Sequence, residues 1–197
     1  MFLYNEVQKR EANQERVRVG LIGAGKFGSM FLSQAPFTIG LEVSSIVDIS
    51  VENAKKNCRD VGWTEEQIES VLFFDNLKKM ISQTKIDVLV EATGDPVEGT
   101  KHALIAIEQG LDIVMVNVEA DVLSGPYLAK EAEKAGIVYS MAYGDQPALT
   151  TELVEWARAS GFHVVAAGKG TKYLPEYHYS TPDTVWDYYG PVSYTHL

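Results

Sequence analysis

The sequence predicts an α/β fold: a doubly wound parallel sheet followed by the start of an α/β catalytic domain. Three observations predict it. Short apolar runs rich in β-branched residues alternate with amphipathic stretches, as buried parallel strands alternate with helices. The first run leads into Gly23-Ala24-Gly25-Lys26-Phe27-Gly28, a G-x-G-x-x-G turn with a helical stretch behind it. An acid, Asp48, closes the next run, twenty residues beyond Gly28.

In chain order, residues 2–15 read as an amphipathic helix whose apolar edge carries Leu3 and Val7 at i, i+4 spacing. It covers a domain edge or joins a second copy in a homo-oligomer. Strands are expected at 17–22, 42–47, 86–91, 113–116 and 137–140, five in all. Thr64-Glu65-Glu66-Gln67 is a capping box that opens a short helix. Asp95-Pro96-Val97-Glu98 starts another, with an acid at the cap and Pro at the first helical position, and Gly110 stops it. A further helix is expected from Pro147 to Ser160, capped by Asp145 or Gln146, and an apolar strand from Val164 to Ala167. The domain reading is residues 1–16 as the leading helix, 17–143 as the dinucleotide-binding domain and 144–191 as the start of the catalytic domain. Residues 192–197, in the stretch VSYTHL, resemble translated sequencing adapter and are taken as a non-native tail, so the chain is expected to be an N-terminal fragment.

Composition sets which functions are excluded. The 197 residues hold 17 Lys and Arg against 27 Asp and Glu, a net charge of −10 that would repel a phosphate backbone. Nucleic acid is therefore not an expected partner. One cysteine, Cys58, cannot form an internal disulfide, and the opening MFLYNEVQKREANQE is too polar for a signal peptide. With no apolar run of about 18 residues, no membrane span is expected, and the location is read as cytoplasmic.

The glycine turn in this order of strand, loop and helix is the Rossmann dinucleotide fingerprint. Gly23 permits the tight turn, Gly25 lets backbone approach a pyrophosphate, and Gly28 lets the helix pack closely on the strand. Residues 23–28 together would present backbone N–H groups at the helix N-terminus. Asp48 would accept hydrogen bonds from the adenosine ribose and repel a 2′-phosphate, which favours NAD(H). Ala92, Thr93 and Gly94, after the next central strand, would pass under a nicotinamide, with Asn117 beside them. NAD(P) is thus the expected cofactor.

Substrate groups are expected at the carboxyl ends of the strands. Glu119 reads either as a solvated acid or as a carboxylate that orients substrate. Lys169 and Lys172 flank the glycine-rich turn GKGTKYLP, where ammonium groups and backbone amides can gather around an anion or a developing oxyanion. Taken alone they read as two solvated lysines. His178, among tyrosines and ahead of a helix cap at Thr181, is a candidate acid or substrate contact. His102 and His163 read as packing or surface residues. No His, Cys, Asp or Glu cluster has metal-ligand spacing, so no protein-built metal site is expected.

The stretches GLIGAGKFGSMFLSQ, VLVEATGDPVEGTKHALIAIEQG, NVEADVLSGPYLAKEAEKAG, AYGDQPAL and GKGTKYLPEYHYSTPDTVWDYYG span nearly the whole chain. Together they resemble the homoserine-dehydrogenase-like oxidoreductases with a C-terminal SAF domain, the group that includes the 1-deoxy-D-xylulose 5-phosphate reductoisomerase-like enzyme. The resemblance implies an NAD(P)-dependent oxidoreductase, with a substrate role for Lys169 and Lys172. It also pulls cofactor preference towards NADPH, with Ser50 or Lys55 receiving the phosphate. One departure matters: homoserine dehydrogenases carry an Asn-Lys pair where this chain reads Asn117-Val118-Glu119, which argues against homoserine oxidation. A sugar dehydrogenase of the Gfo/Idh/MocA type would show a Glu-Lys-Pro-like stretch there. A non-catalytic dinucleotide-sensing module is the alternative from another class, and it has no need of the two lysines.

Overall fold

The computed structural model describes residues 2–144, 146–168, 175–179, 181, 183 and 184. Residues Met1–Ala142 form one compact unit and Tyr143–Leu197 a second.

In the first unit, α1 (Leu3–Ala12) precedes β1 (Val17–Ile22), α2 (Lys26–Gln34) and β2 (Leu41–Val47). Next come α3 (Val51–Asp60), α4 (Glu65–Glu69), β3 (Leu72–Phe74), α5 (Leu77–Gln83) and β4 (Val88–Glu91). The unit closes with α6 (Pro96–Glu108), β5 (Asp112–Met115), α7 (Val118–Ala135) and β6 (Tyr139–Met141). All six strands pair in parallel in the order β3-β2-β1-β4-β5-β6. The doubly wound sheet is as expected, but the count of five strands is corrected to six. The missed one, β3, is three residues long and sits at the sheet edge with Leu72 exposed, too short to show a period.

Burial explains the apolar runs. Leu21, Ile22 and Leu89 are inaccessible or nearly so, because helices cover both faces of the central strands. One face packs α5, α6 and α7 through Met80, Ala103, Ala106 and Leu128; the other packs α2, α3 and α4 through Leu32, Ala54, Cys58 and Ile68. On the second face the Trp63 indole N–H donates to the Leu32 carbonyl at 2.7 Å, tying the α3–α4 link to α2. The helix starts follow the sequence signals. Thr64 and Gln67 make both bonds of the capping box, and the Asp95 carboxylate accepts from Val97 and Glu98 N–H at 2.9 and 2.8 Å.

Helix α1 makes a lighter contact than its amphipathic reading implies. It buries no residue, Leu3 is exposed, and the backbone at Val7 lies against Gly40. The Glu11 carboxylate accepts from the Gly40 N–H at 3.0 Å and pairs with Arg16.

In the second unit α8 spans Gln146–Ala159, close to the expected helix, and the Tyr143 hydroxyl is bonded to Glu152, which pushes its pKa up. The strand expected at 164–167, with His163 at its start, is corrected: residues 162–168 are in neither helix nor strand. A β-branched run becomes a strand only where a neighbour offers a ladder, and no described residue pairs with this one. Asp145, taken as a cap, lies outside the described residues, as do Tyr173, Trp186, Tyr188, Tyr189 and the whole of 192–197.

Burial of Cys58 on α3 pushes its thiol up from 9.0 to about 11. The folded state therefore holds this proton more tightly than the unfolded chain, a contribution complete below the ordinary thiol value and lost as pH rises through the folded one. Iodoacetamide at about pH 8 should leave Cys58 unmodified in the folded protein and alkylate it once denaturant is added, as read by mass spectrometry.

Candidate cofactor site

The strand order runs one way from β1 to β3 and the other from β4 to β6, so a crevice opens between the carboxyl ends of β1 and β4. The glycine turn stands there. Gly23 takes φ +88°, its N–H donates to the Val47 carbonyl at 2.8 Å, and a Cβ on it would lie 2.9 Å from the Ala92 carbonyl oxygen. Only glycine fits such a close approach. Gly28 faces the turn from α2, where a Cβ would run into the Gly23 carbonyl. Gly25 is the opposite case: a Cβ there meets nothing within 4 Å. The space beside it is what a pyrophosphate needs.

Ala24, between these glycines, is held at both peptide ends. Its N–H donates to Asp48 Oδ2 at 2.9 Å, while its carbonyl accepts from Asn57 Nδ2 at 2.8 Å and Ser29 Oγ at 3.0 Å. The other oxygen of Asp48 accepts the Ser50 N–H at 3.0 Å. Asp48 thus ties the glycine turn after β1 to the start of the segment after β2. Sequence spacing missed Asn57 and Ser29, because a polar residue on a helix gives no sign of which carbonyl it meets. Helix α2 begins at this turn with Gly25 as its cap, no capping side chain and no acid in its first turn, which leaves the positive end of its dipole for an anion. Lys26 and Phe27 are exposed in that turn.

At the end of β4, Ala92, Thr93 and Gly94 form the next rim of the crevice, and Gly94 takes φ +79°. Beneath them lies Glu91, which is completely buried. Its Oε1 accepts from the Thr93 hydroxyl at 2.5 Å and lies 3.2 Å from His102 Nδ1. The sequence places Glu91 as the last residue of the strand 86–91 and His102 as a packing or surface residue. An acid closing the apolar run VLV was the available signal. Asn117 is buried: its Oδ1 caps α7 by accepting the Ala120 N–H, and its Nδ2 donates to the Asp95 carbonyl at 2.8 Å. It therefore shapes the 93–95 loop. Glu119 is exposed in the first turn of α7, where an acid favours the helix dipole.

Of the remaining candidates, Lys169 and Lys172 lie outside the described residues. His178 is exposed in the short 3-10 turn Pro175–Tyr179, and the Thr181 hydroxyl accepts the Thr184 N–H. Among the described residues no three His, Cys, Asp or Glu come together to hold a metal, and no helix is long and apolar enough to cross a membrane. An open groove of about 880 Å³ runs past Arg16, Phe37, Leu41 and Leu72, at the amino ends of β2 and β3. That is the wrong end of the sheet for the dinucleotide.

Strand order, glycine turn and strand-end acid define a dinucleotide-binding α/β domain. Residues 19–142 match the model of the homoserine dehydrogenase NAD binding domain, and residues 144–192 match that of the catalytic domain of oxidoreductase DRL. The chain belongs to the homoserine dehydrogenase NAD-binding domain family, and NAD(P) is the cofactor its glycine turn fits. No curated protein matches it by sequence. Solved structures share its fold. One is the WlbA dehydrogenase of Chromobacterium violaceum, in complex with NADH and UDP-GlcNAcA, at 17% identity over 74% of this chain and 40% of that one, with a TM-score of 0.54. The Bordetella pertussis WlbA dehydrogenase matches at 22% identity over 74% and 42%, TM-score 0.54. The Lactobacillus casei myo-inositol dehydrogenase, in complex with NAD(H) and myo-inositol, matches at 18% over 71% and 42%, TM-score 0.54. The chain spans about two fifths of the length of these structures.

Mutation separates the roles of Gly25 and Gly28. Because Gly25 has an ordinary φ of −70° and open space, Gly25→Val should fold with an unchanged melting temperature yet weaken NADH by at least about a hundredfold in calorimetry. Gly28→Ala should instead lower stability by about 1–3 kcal/mol in urea titration, through the clash with the Gly23 carbonyl.

Proposed function

We propose that this chain carries the dinucleotide half of an NAD(P)-dependent oxidoreductase acting on a small carbonyl or hydroxy compound, free or phosphorylated. The observation that carries the reading is the loop at Ala24, pinned by Asp48 and Asn57 so that Gly25 and the open end of α2 face the crevice. Residues 23–28 would hold the pyrophosphate and Asp48 the adenosine ribose, leaving residues 92–94 for the nicotinamide end. Bound NAD(P) supplies the hydride chemistry. The match of residues 144–192 to an oxidoreductase catalytic domain supports a substrate side beyond Tyr143 and favours an enzyme over a sensing module. The solved neighbours named with UDP-GlcNAcA and myo-inositol support a small, hydroxyl-rich substrate.

In that scheme Lys169 stabilises charge growing on the substrate oxygen and Lys172 holds a substrate anion, with Glu119 and His178 as further substrate contacts. Lys169→Met in the whole enzyme should lower kcat/KM by about two orders of magnitude through kcat, with NADH affinity intact. Lys172→Met should act mainly on KM. Wild-type kinetics in both variants would leave the two lysines as solvated residues, whereas a whole protein that binds NADH without turnover would return the reading to a sensing module.

For the cofactor, we read NAD(H) as bound at least as well as NADP(H). The preference rests on Asp48, whose carboxylate would face a 2′-phosphate at the ribose position; Ser50 Oγ, which accepts the Asn53 N–H at 3.3 Å, and the Lys55 ammonium, 5.3 Å from the Phe73 ring centroid, are the alternative phosphate receivers. Titration of both cofactors tests this. Asp48→Ser should weaken NADH, because Ala24 N–H loses its acceptor, and shift the NADPH-to-NADH preference by about tenfold towards NADPH. Wild-type protein binding NADPH much more tightly would overturn the preference. Binding neither would overturn the cofactor reading.

A further inference from the structure

We infer that Glu91 is a positioning residue for the nicotinamide end of the cofactor, acting through Thr93 and kept in the core against the interest of fold stability. The inference rests on the cofactor reading above. It starts from topology. Asp48, just after β2, marks the adenosine side and the start of α2, after β1, marks the pyrophosphate, so a dinucleotide lying across the carboxyl ends continues over β4. The residue ending β4 is Glu91.

This carboxylate is in an unusual position. It is 0% exposed, and its Oε2 is buried with no hydrogen-bond partner among the described residues. Its ion-pair partner among them is His102, charged only when protonated. A buried carboxylate with an unsatisfied oxygen carries a desolvation penalty, and an apolar side chain of similar volume at such a site is commonly neutral or stabilising. Packing therefore does not account for an acid after Val88, Leu89 and Val90.

The Oε1 contacts do. The Thr93 hydroxyl has one proton, and it goes to Glu91 at 2.5 Å. Its lone pairs are then turned to accept from the Asp95 N–H and from Asn117 Nδ2, each at 3.4 Å, while the Thr93 N–H also points to Oε1 at 3.4 Å. Glu91 thus fixes the direction of a hydroxyl that links β4 to the starts of α6 and α7. Thr93 is exposed on the crevice rim, so the rim's shape is set from inside the core.

The test compares NADH with ADP-ribose, which shares every part of the dinucleotide except the nicotinamide. Glu91→Met fills the same volume without an acceptor, and Thr93→Val removes the donor from the exposed side. Both should weaken NADH by about tenfold while leaving ADP-ribose within about twofold, and Glu91→Met should melt at or above the parent temperature. Thr93→Ser, which keeps the hydroxyl, should restore the parent NADH-to-ADP-ribose ratio. An unchanged ratio in Glu91→Met and Thr93→Val would overturn the inference. So would equal weakening of both ligands with a lower melting temperature, the signature of a structural role only. Parent protein that binds neither ligand would overturn the cofactor reading and this inference with it, a result distinct from the others.

Discussion

A carboxylate at the end of β2 holds the turn at the end of β1, and the geometry of the crevice follows from that bond. Asp48 Oδ2 accepts the Ala24 N–H at 2.9 Å, which fixes the peptide between Gly23 and Gly25. With that peptide held, and its carbonyl taken by Asn57 and Ser29, α2 starts from a fixed turn with no capping side chain. A glycine-rich segment loses more entropy on ordering than any other, so a turn built of three glycines needs such anchors to be preorganised.

Charge is distributed to match. A chain with a net charge of −10 is a poor anion binder in bulk, yet the first turn of α2 carries no acid. The local positive end of the helix then acts within a turn's length, a range over which distant surface acids are screened. Three acids near the crevice make hydrogen bonds within the protein: Asp48 to two backbone N–H groups, Asp95 to the start of α6, Glu91 to Thr93.

Stability and site geometry are traded along the same strand ends. The interior on both sheet faces is apolar apart from Ser45 on β2 until the last residue of β4, where a buried acid stands. At the start of β6, two strands away, the Tyr139 hydroxyl donates to Asp121 at 2.8 Å, and burial together with that acid pushes the Tyr139 pKa well up. Two of the buried polar residues, Glu91 and Asn117, stand where β4 and β5 end, the side of an open α/β sheet on which ligands bind.

The sequence by itself determined the class of sheet, the helix starts at Thr64 and Asp95, the glycine turn and the strand-end acid. Each is a local pattern, carried by residues a few positions apart whose propensities and spacing speak without the rest of the chain. Only the tertiary structure decided that β3 joins the edge, that 164–167 is not a strand among the described residues, and that Asn57 meets the Ala24 carbonyl and His102 meets Glu91. These depend on pairs distant in sequence, such as Asn57 with Ala24, 33 residues apart, or on whether a neighbouring strand is there to complete a ladder. A side chain's chemistry is written at its own position; the partner that gives it a role is chosen by how the sheet brings remote segments together.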